Sequence, residues 1–311
     1  MNTYMPEGWL IKTEKNCQLI SSKAGLERAL DEQIILEAPA VLCDHNFNLH
    51  VELGSGIRGV IPREEIEFSQ AGEETKDIAI LTRVGKTVSF KVLGFRKTSS
   101  GETQALLSRR AAQRECIENY ISSLIPGDII PAKVTHLENF GAFIDIGCGK
   151  ISLLSIDSIS VSRISHPSAR LSVGDMIYVV VRSIDDKGRI FVSGRELLGS
   201  WEENAALFSE GETVRGIVRS VESYGIFIEL TPNLAGLAEY HENVKVGQTA
   251  AVYIKSIIPD KMKIKLIIID TDEYSMSARP LTYFIDPKET SHIDKWKYSP
   301  PHAQKTVETI F

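Results

Sequence analysis

The strongest constraint on the chain is one strand pattern that it carries three times. In Phe140-Gly-Ala-Phe-Ile-Asp-Ile146, Ala142, Ile144 and Ile146 share one parity, and Phe143 and Asp145 share the other. A strand alternates faces with period two, so the aliphatics turn toward a core and Phe143 and Asp145 stand on the wetter face. An aromatic turned away from a core is informative, because burial ordinarily claims it. The frame recurs as Tyr224-Gly-Ile-Phe-Ile-Glu-Leu230, with Phe227 and Glu229 outward. It recurs in weaker form as Phe47-Asn-Leu-His-Val-Glu-Leu53, with His50 in the aromatic slot. Three copies of one strand make a protein of repeated units.

A Val-Gly pair follows each copy, at Val84, Val173 and Val246, and opens a further β-branched strand. The gap shrinks along the chain, from 84 − 47 = 37 positions to 173 − 140 = 33 and 246 − 224 = 22, so the crossover helix shortens with it. Three strands, a crossover and two more strands describe a five-stranded Greek-key barrel. This is the OB architecture, whose second and third strands commonly bind oligonucleotides. The fold class is therefore mainly β, with three tandem five-stranded OB-fold barrels joined by short helices.

The predicted divisions are a leader over 1–33 that docks on the first barrel, and barrels over 34–110, 126–196 and 210–270. Between them lie a linker helix over 111–125, with the stripe Ala111, Ala112, Ile117, Tyr120, Ile121 and Leu124, and another over 197–209, with Trp201, Ala205 and Phe208 on one face. Residues 271–311 read as a tail draped on the third barrel, with Trp296 and Tyr298 as anchors. Ser162-Arg-Ile-Ser-His-Pro167 reads as a solvated polar loop.

Hydrophobic content of 43% and charged content of 24% are ordinary for a soluble globular protein. No apolar run approaches the ~20 residues of a membrane span, and the N-terminus lacks a basic-then-apolar signal. The four cysteines lie far apart, which fits a reducing cytoplasm better than a disulfide framework or a zinc site. No metal or cofactor is expected, nor a small-molecule substrate. Asp185-Asp186 reads as a turn and not as a catalytic dyad, so no enzyme is expected. A formal charge of −6 excludes binding to nucleic acid by charge alone, so such binding would rest on stacking and local geometry.

The elements Phe140-Gly-Ala-Phe143, Val173-Gly-Asp175 and Ile184-Asp-Asp-Lys-Gly-Arg-Ile190, in that order and spacing, resemble the S1-type RNA-binding domain. Tyr224-Gly-Ile-Phe227 with Val246-Gly247 resembles it too, and the first repeat does so by position more than by residue. Three such units resemble the bacterial ribosomal protein S1 family. The resemblance implies that two aromatics stack on bases, flanked by an acidic and a basic residue of the last turn. It places Phe140, Phe143, Asp185 and Arg189 in the second repeat, Tyr224, Phe227 and Lys263 in the third, and Phe47 and His50 in the first. Gln104 takes the basic slot of the first repeat. Lys133, Arg215 and Arg219, on neighbouring first strands, read as supports that neutralise phosphate.

Two readings follow. One is a non-catalytic protein of the translation machinery that binds single-stranded RNA or mRNA beside the small ribosomal subunit. The other is a protein-interaction scaffold whose barrels have reduced RNA binding. In a structural reading of the same rings, Phe143 and Phe227 pack against a neighbouring barrel or linker helix. An exposed ring binds any base through its π-face, at roughly 1–3 kcal/mol per base.

Overall fold

The computed structural model describes residues 4–54, 56–68, 76–98, 101–272 and 281–311. Parts of the helix expected after Arg63, of the turn expected over 97–101 and of the tail lie outside the described residues. By contacts the chain forms two compact units, residues 1–124 with 145–151, and residues 125–144 with 152–311.

The first unit opens with two short helices, α1 (Glu14–Ile20) and α2 (Lys23–Asp31). Thr13 and Ser22 cap them through their side chains. Leu19, Leu26 and Ala29 of these helices enter the core of the first barrel. That barrel comprises β1 (Leu36–Cys43), β2 (Leu49–Glu52), β3 (Arg58–Ile61), the crossover helix α3 (Asp77–Leu81), β4 (Thr87–Lys97) and β5 (Thr103–Ser108). Helix α4 (Arg109–Asn119) follows.

The second barrel comprises β6 (Ile129–Glu138), β7 (Gly141–Asp145), β8 (Ile151–Ser155), α5 (Ile156–Ile159), β9 (Met176–Ile184) and β10 (Ile190–Ser193). Helix α6 (Trp201–Ala205) precedes the third, made of β11 (Thr213–Glu222), β12 (Gly225–Thr231), β13 (Leu234–Ala238), β14 (Thr249–Ile258) and β15 (Lys263–Asp272). All three sheets close with the same circular order, first-second-third-fifth-fourth. Closure joins the third and fifth strands in parallel, as in Val60 opposite Leu106, Leu153 opposite Phe191 and Leu237 opposite Lys265. Closure leaves no open edge. The inward aliphatics are sealed: Ala142, Ile144, Ile226 and Ile228 are all fully buried.

Four expectations need correction. Asp145 and Glu229 keep the outward parity of their strands but are only 2% and 5% exposed. Other groups cover them. The backbone N–H of Glu7, Gly147 and Gly149 donate to Asp145, and two arginines bind Glu229. On α4 the buried face is Arg109, Ala112, Gln113 and Cys116, not the stripe through Ala111 and Ile117. A charged residue can lie inside there because Glu7 pairs with it. The loop after Val161 is solvated only in part: Arg163 and Ser165 are exposed, but Ser162 and Pro167 are buried, and the Val161 N–H donates to Asn233 Oδ1 and the Ser162 N–H to Pro232 O, both at 3.0 Å. Lastly, the tail does more than drape on the third barrel.

The tail binds both barrels of the second unit. Trp296 and Tyr298 are buried in the third-barrel core, where the Tyr298 hydroxyl donates to Asn233 O at 2.6 Å. Further back, the Ile129 N–H donates to Ser291 O and the Ile293 N–H to Gly127 O, which ties the tail to the second barrel. Strands β16 (Lys295–Lys297) and β17 (Glu308–Ile310) pair antiparallel within the tail.

Candidate nucleic-acid interface

The second barrel presents an aromatic pair. Phe143 lies on β7 and is half-buried, while Phe140 precedes the strand and is 54% exposed. Their ring centroids are 5.9 Å apart with an interplanar angle of 90°, the edge-to-face arrangement that aromatic quadrupoles favour. Gly141 makes the approach possible. A Cβ there would lie 2.4 Å from the Leu154 carbonyl oxygen, so only glycine lets the chain pass β8 this closely. That is how Phe140, off the strict alternation, reaches the face of Phe143. The Thr135 hydroxyl donates to Phe143 O at 2.9 Å and holds the strand in place.

The third barrel repeats the arrangement. Tyr224 is 69% exposed and meets half-buried Phe227 at 6.2 Å and 85°. A Cβ on Gly225 would lie 2.6 Å from Ala238 O. Two barrels with different residues thus build one geometry, an exposed ring edge-on to a half-buried one.

Residues 40–101 and 123–195 match the model of the S1 RNA binding domain. The chain thus carries two segments of the S1 RNA-binding domain type. It is 29% identical over 269 residues to the small ribosomal subunit protein bS1 homolog of Bacillus subtilis, covering 82% of this chain and 65% of that protein. It is 29% identical over 277 residues to small ribosomal subunit protein bS1 of Staphylococcus epidermidis, covering 83% of this chain and 65% of that one. The chain thus spans somewhat less than two thirds of the length of these curated relatives. Among solved structures, a multidomain protein with nucleic acid binding domains from Streptococcus pneumoniae is 16% identical, covering 76% of this chain and 73% of that one. Its TM-score of 0.24 gives it no weight for the fold.

In the second S1 barrel the acid–base pair of the last turn is formed. Arg189 Nε donates to Asp185 Oδ2 at 2.7 Å, and Asp185 Oδ1 accepts from the backbone N–H of Lys187 and Arg189. These bonds, that from the Arg189 backbone foremost, hold the Asp185 carboxyl below the usual carboxylate range. The Arg189 side chain stays 69% exposed. The turn joins β9 to β10, and β8 alone separates β10 from β7 in the sheet. Lys133 is half-buried on β6. A residue that the frame alone did not reveal adds to this face: His136, exposed, stacks on Phe143 at 6.4 Å and 23° and bonds Glu138 at 2.8 Å. Its signal was positional, since it lies on β6, the strand beside β7 in the sheet.

In the third barrel Lys263 is exposed at the start of β15, and Arg215 is exposed on β11. Arg219 is not brought to a phosphate-facing position of that kind. Its Nε and Nη2 donate to Glu229 at 2.7 and 3.3 Å, with its side chain 14% exposed.

The first S1 barrel differs. Phe47 stands in a turn with φ +61, packs against the barrel core, and has the Arg63 guanidinium 4.9 Å over its ring. His50 is half-buried and bonds Asp44 at 3.1 Å. Partial burial pushes Asp44 up, but bonds from Asn48 and His50 outweigh it and hold the carboxyl far below its ordinary value. The two rings expected to stack are therefore committed to neighbours. Gln104 is buried and accepts from Arg96 Nε at 2.8 Å, so a cation stands beside the slot where the sequence had none.

Among the described residues no group of His, Cys, Asp or Glu is placed to hold a metal ion, and no helix is long and apolar enough to cross a membrane.

Proposed function

We propose that the chain is a non-catalytic single-stranded RNA-binding protein of the translation machinery, acting on mRNA beside the small ribosomal subunit. The observation that carries this is the edge-to-face aromatic pair, built twice from different residues, each time with one ring exposed. Bases stack on Phe140 and Phe143 in the second barrel and on Tyr224 and Phe227 in the third. Arg189, oriented by Asp185, and Lys263 meet the phosphates, with Lys133 in support. A protein of net charge −6 must bind by such local means. Two weak barrels in series gain affinity through effective concentration. The names of the relatives support the translation setting.

The first barrel favours a second role, as a docking module for a protein partner. Phe47 and His50 are engaged by Arg63 and Asp44, and the surface around Arg63 mixes charges, which suits protein recognition.

Fluorescence anisotropy with labelled single-stranded RNA, on the intact chain and on ring-to-alanine variants of each barrel, tests both. The reading holds if Phe143→Ala and Phe227→Ala weaken binding while Phe47→Ala does not. It fails if the wild type shows no binding at low salt.

A further inference from the structure

Between the second and third barrels, inside the second unit, lies a cavity of about 690 Å³. None of the four stacking rings lines it. Its size falls within the roughly 300–1,000 Å³ of small-molecule sites. Its lining mixes charged side chains, Arg170, Arg215, Arg219, His166 and Glu229, with apolar Leu198, Leu207 and Phe284.

Charge does not balance at its base. Arg170 and Arg219 both bind the single carboxylate of Glu229. Two guanidinium charges against one carboxylate leave one positive charge in excess. Arg170 is only 5% exposed, and its Nε is buried with no hydrogen-bond partner. A buried cation in excess, with an orphan donor, is costly unless an anion meets it. At the same wall the Ser168 N–H donates to His166 Nδ1 at 3.1 Å. The ring proton therefore sits on Nε2, which becomes a further donor. Arg215 is exposed at the cavity wall and supplies a second, accessible fork.

We propose that this cavity binds a phosphate-bearing ligand of nucleotide size. The guanidinium fork matches phosphate oxygens in pairs, so the phosphate lies against Arg170, Arg215 and His166. Phe284 and Leu207 offer apolar cover for a base. A free nucleotide and the 5′-phosphorylated end of an RNA share this chemistry. The proposal stands apart from stacking on the aromatic pairs and does not need it.

Equilibrium dialysis of the full chain tests it. The probes are labelled AMP, GMP, CMP and UMP, inorganic phosphate, and a decaribonucleotide with and without a 5′-phosphate. A saturable site for a nucleoside monophosphate is expected. Arg215→Ala should weaken it about tenfold or more, as loss of one charge-assisted hydrogen bond does. Arg170→Met should do the same, with circular dichroism showing that it folds. Arg215, being exposed, keeps the test decisive if Arg170→Met does not fold. Binding confined to the 5′-phosphorylated oligonucleotide, and lost with Arg215→Ala, would support the phosphate site and make an RNA end its occupant. The combined Phe143→Ala and Phe227→Ala variant should retain nucleotide binding, which separates this site from the stacking faces. No saturable binding of any phosphate-bearing probe, or binding indifferent to Arg215→Ala, would overturn the proposal.

Discussion

Arg109 and Glu7, 102 positions apart in the chain, form an ion pair with 2.6 Å between Nε and Oε1 and side chains 0% and 7% exposed. Arg109 also donates to Ile66 O, and Glu7 accepts from the Ser89 N–H at 3.1 Å. The pair thus binds the leader to α4 and to the first barrel at one point.

Breaking this pair should destabilise the first unit. Removing one partner of a buried pair leaves the other uncompensated, at about 3–5 kcal/mol. Arg109→Met and Glu7→Gln should each lower the urea midpoint of the transition that reports on residues 1–124. A midpoint equal to that of the wild type would show that the pair is dispensable.

The same region should make the protein less stable as pH rises. Burial first, and then the charge of Glu7, push the Glu37 carboxyl up to about 8. The same two causes, in the same order, raise Asp145. Folded molecules therefore hold protons that the unfolded chain releases near pH 4. Folding takes up protons in this window, so stability falls as pH climbs from about 4 to about 8 and then levels off. Glu7 acts with the opposite sign: burial raises it, but the charge and hydrogen bonds of Arg109, with Arg83 and the Ser89 N–H, together lower it, and its contribution is lost only as pH falls below the unfolded carboxylate range. Thermal melts across neutral pH should show a declining midpoint, and Glu37→Gln should flatten it. A midpoint that rises over this range would contradict the assignment.

Phe143→Ala should weaken single-stranded RNA binding by roughly 1–3 kcal/mol, the worth of one stacked base. His136 stacks on the same ring, so His136→Ala should add a smaller loss. Titration by anisotropy reads both. An unchanged dissociation constant in a folded Phe143→Ala variant would remove the second barrel from the interface.

Salt should matter less than for a basic protein. Each neutralised phosphate contributes about −0.7 to the log–log slope for single strands. With Arg219 held by Glu229, few cations remain on the aromatic faces. Dissociation constants over a salt series should give a slope shallower than about −4. A steeper slope would require a basic surface elsewhere.

Much of the fold was legible in the chain because strands and turns are local. The alternation at Ala142, Ile144 and Ile146 fixes which face meets the core, and the Val-Gly pairs mark where the fourth strands begin. Strand β9, at Met176–Ile184, lies where alternation placed it. The aromatic pairs were legible for the same reason, each being four residues of continuous chain. What tertiary structure alone decided is the fate of every polar residue whose partner is distant in sequence. Asp145 and Glu229 had an outward parity, yet Glu7, Arg170 and Arg219 cover them. Phe47 and His50 occupied the right slots, yet Arg63 and Asp44 claim them. Local periodicity sets the direction in which a side chain leaves the backbone, but its exposure depends on what the rest of the chain packs against it. A pairing across 102 residues, such as Arg109 with Glu7, leaves no trace in any local pattern.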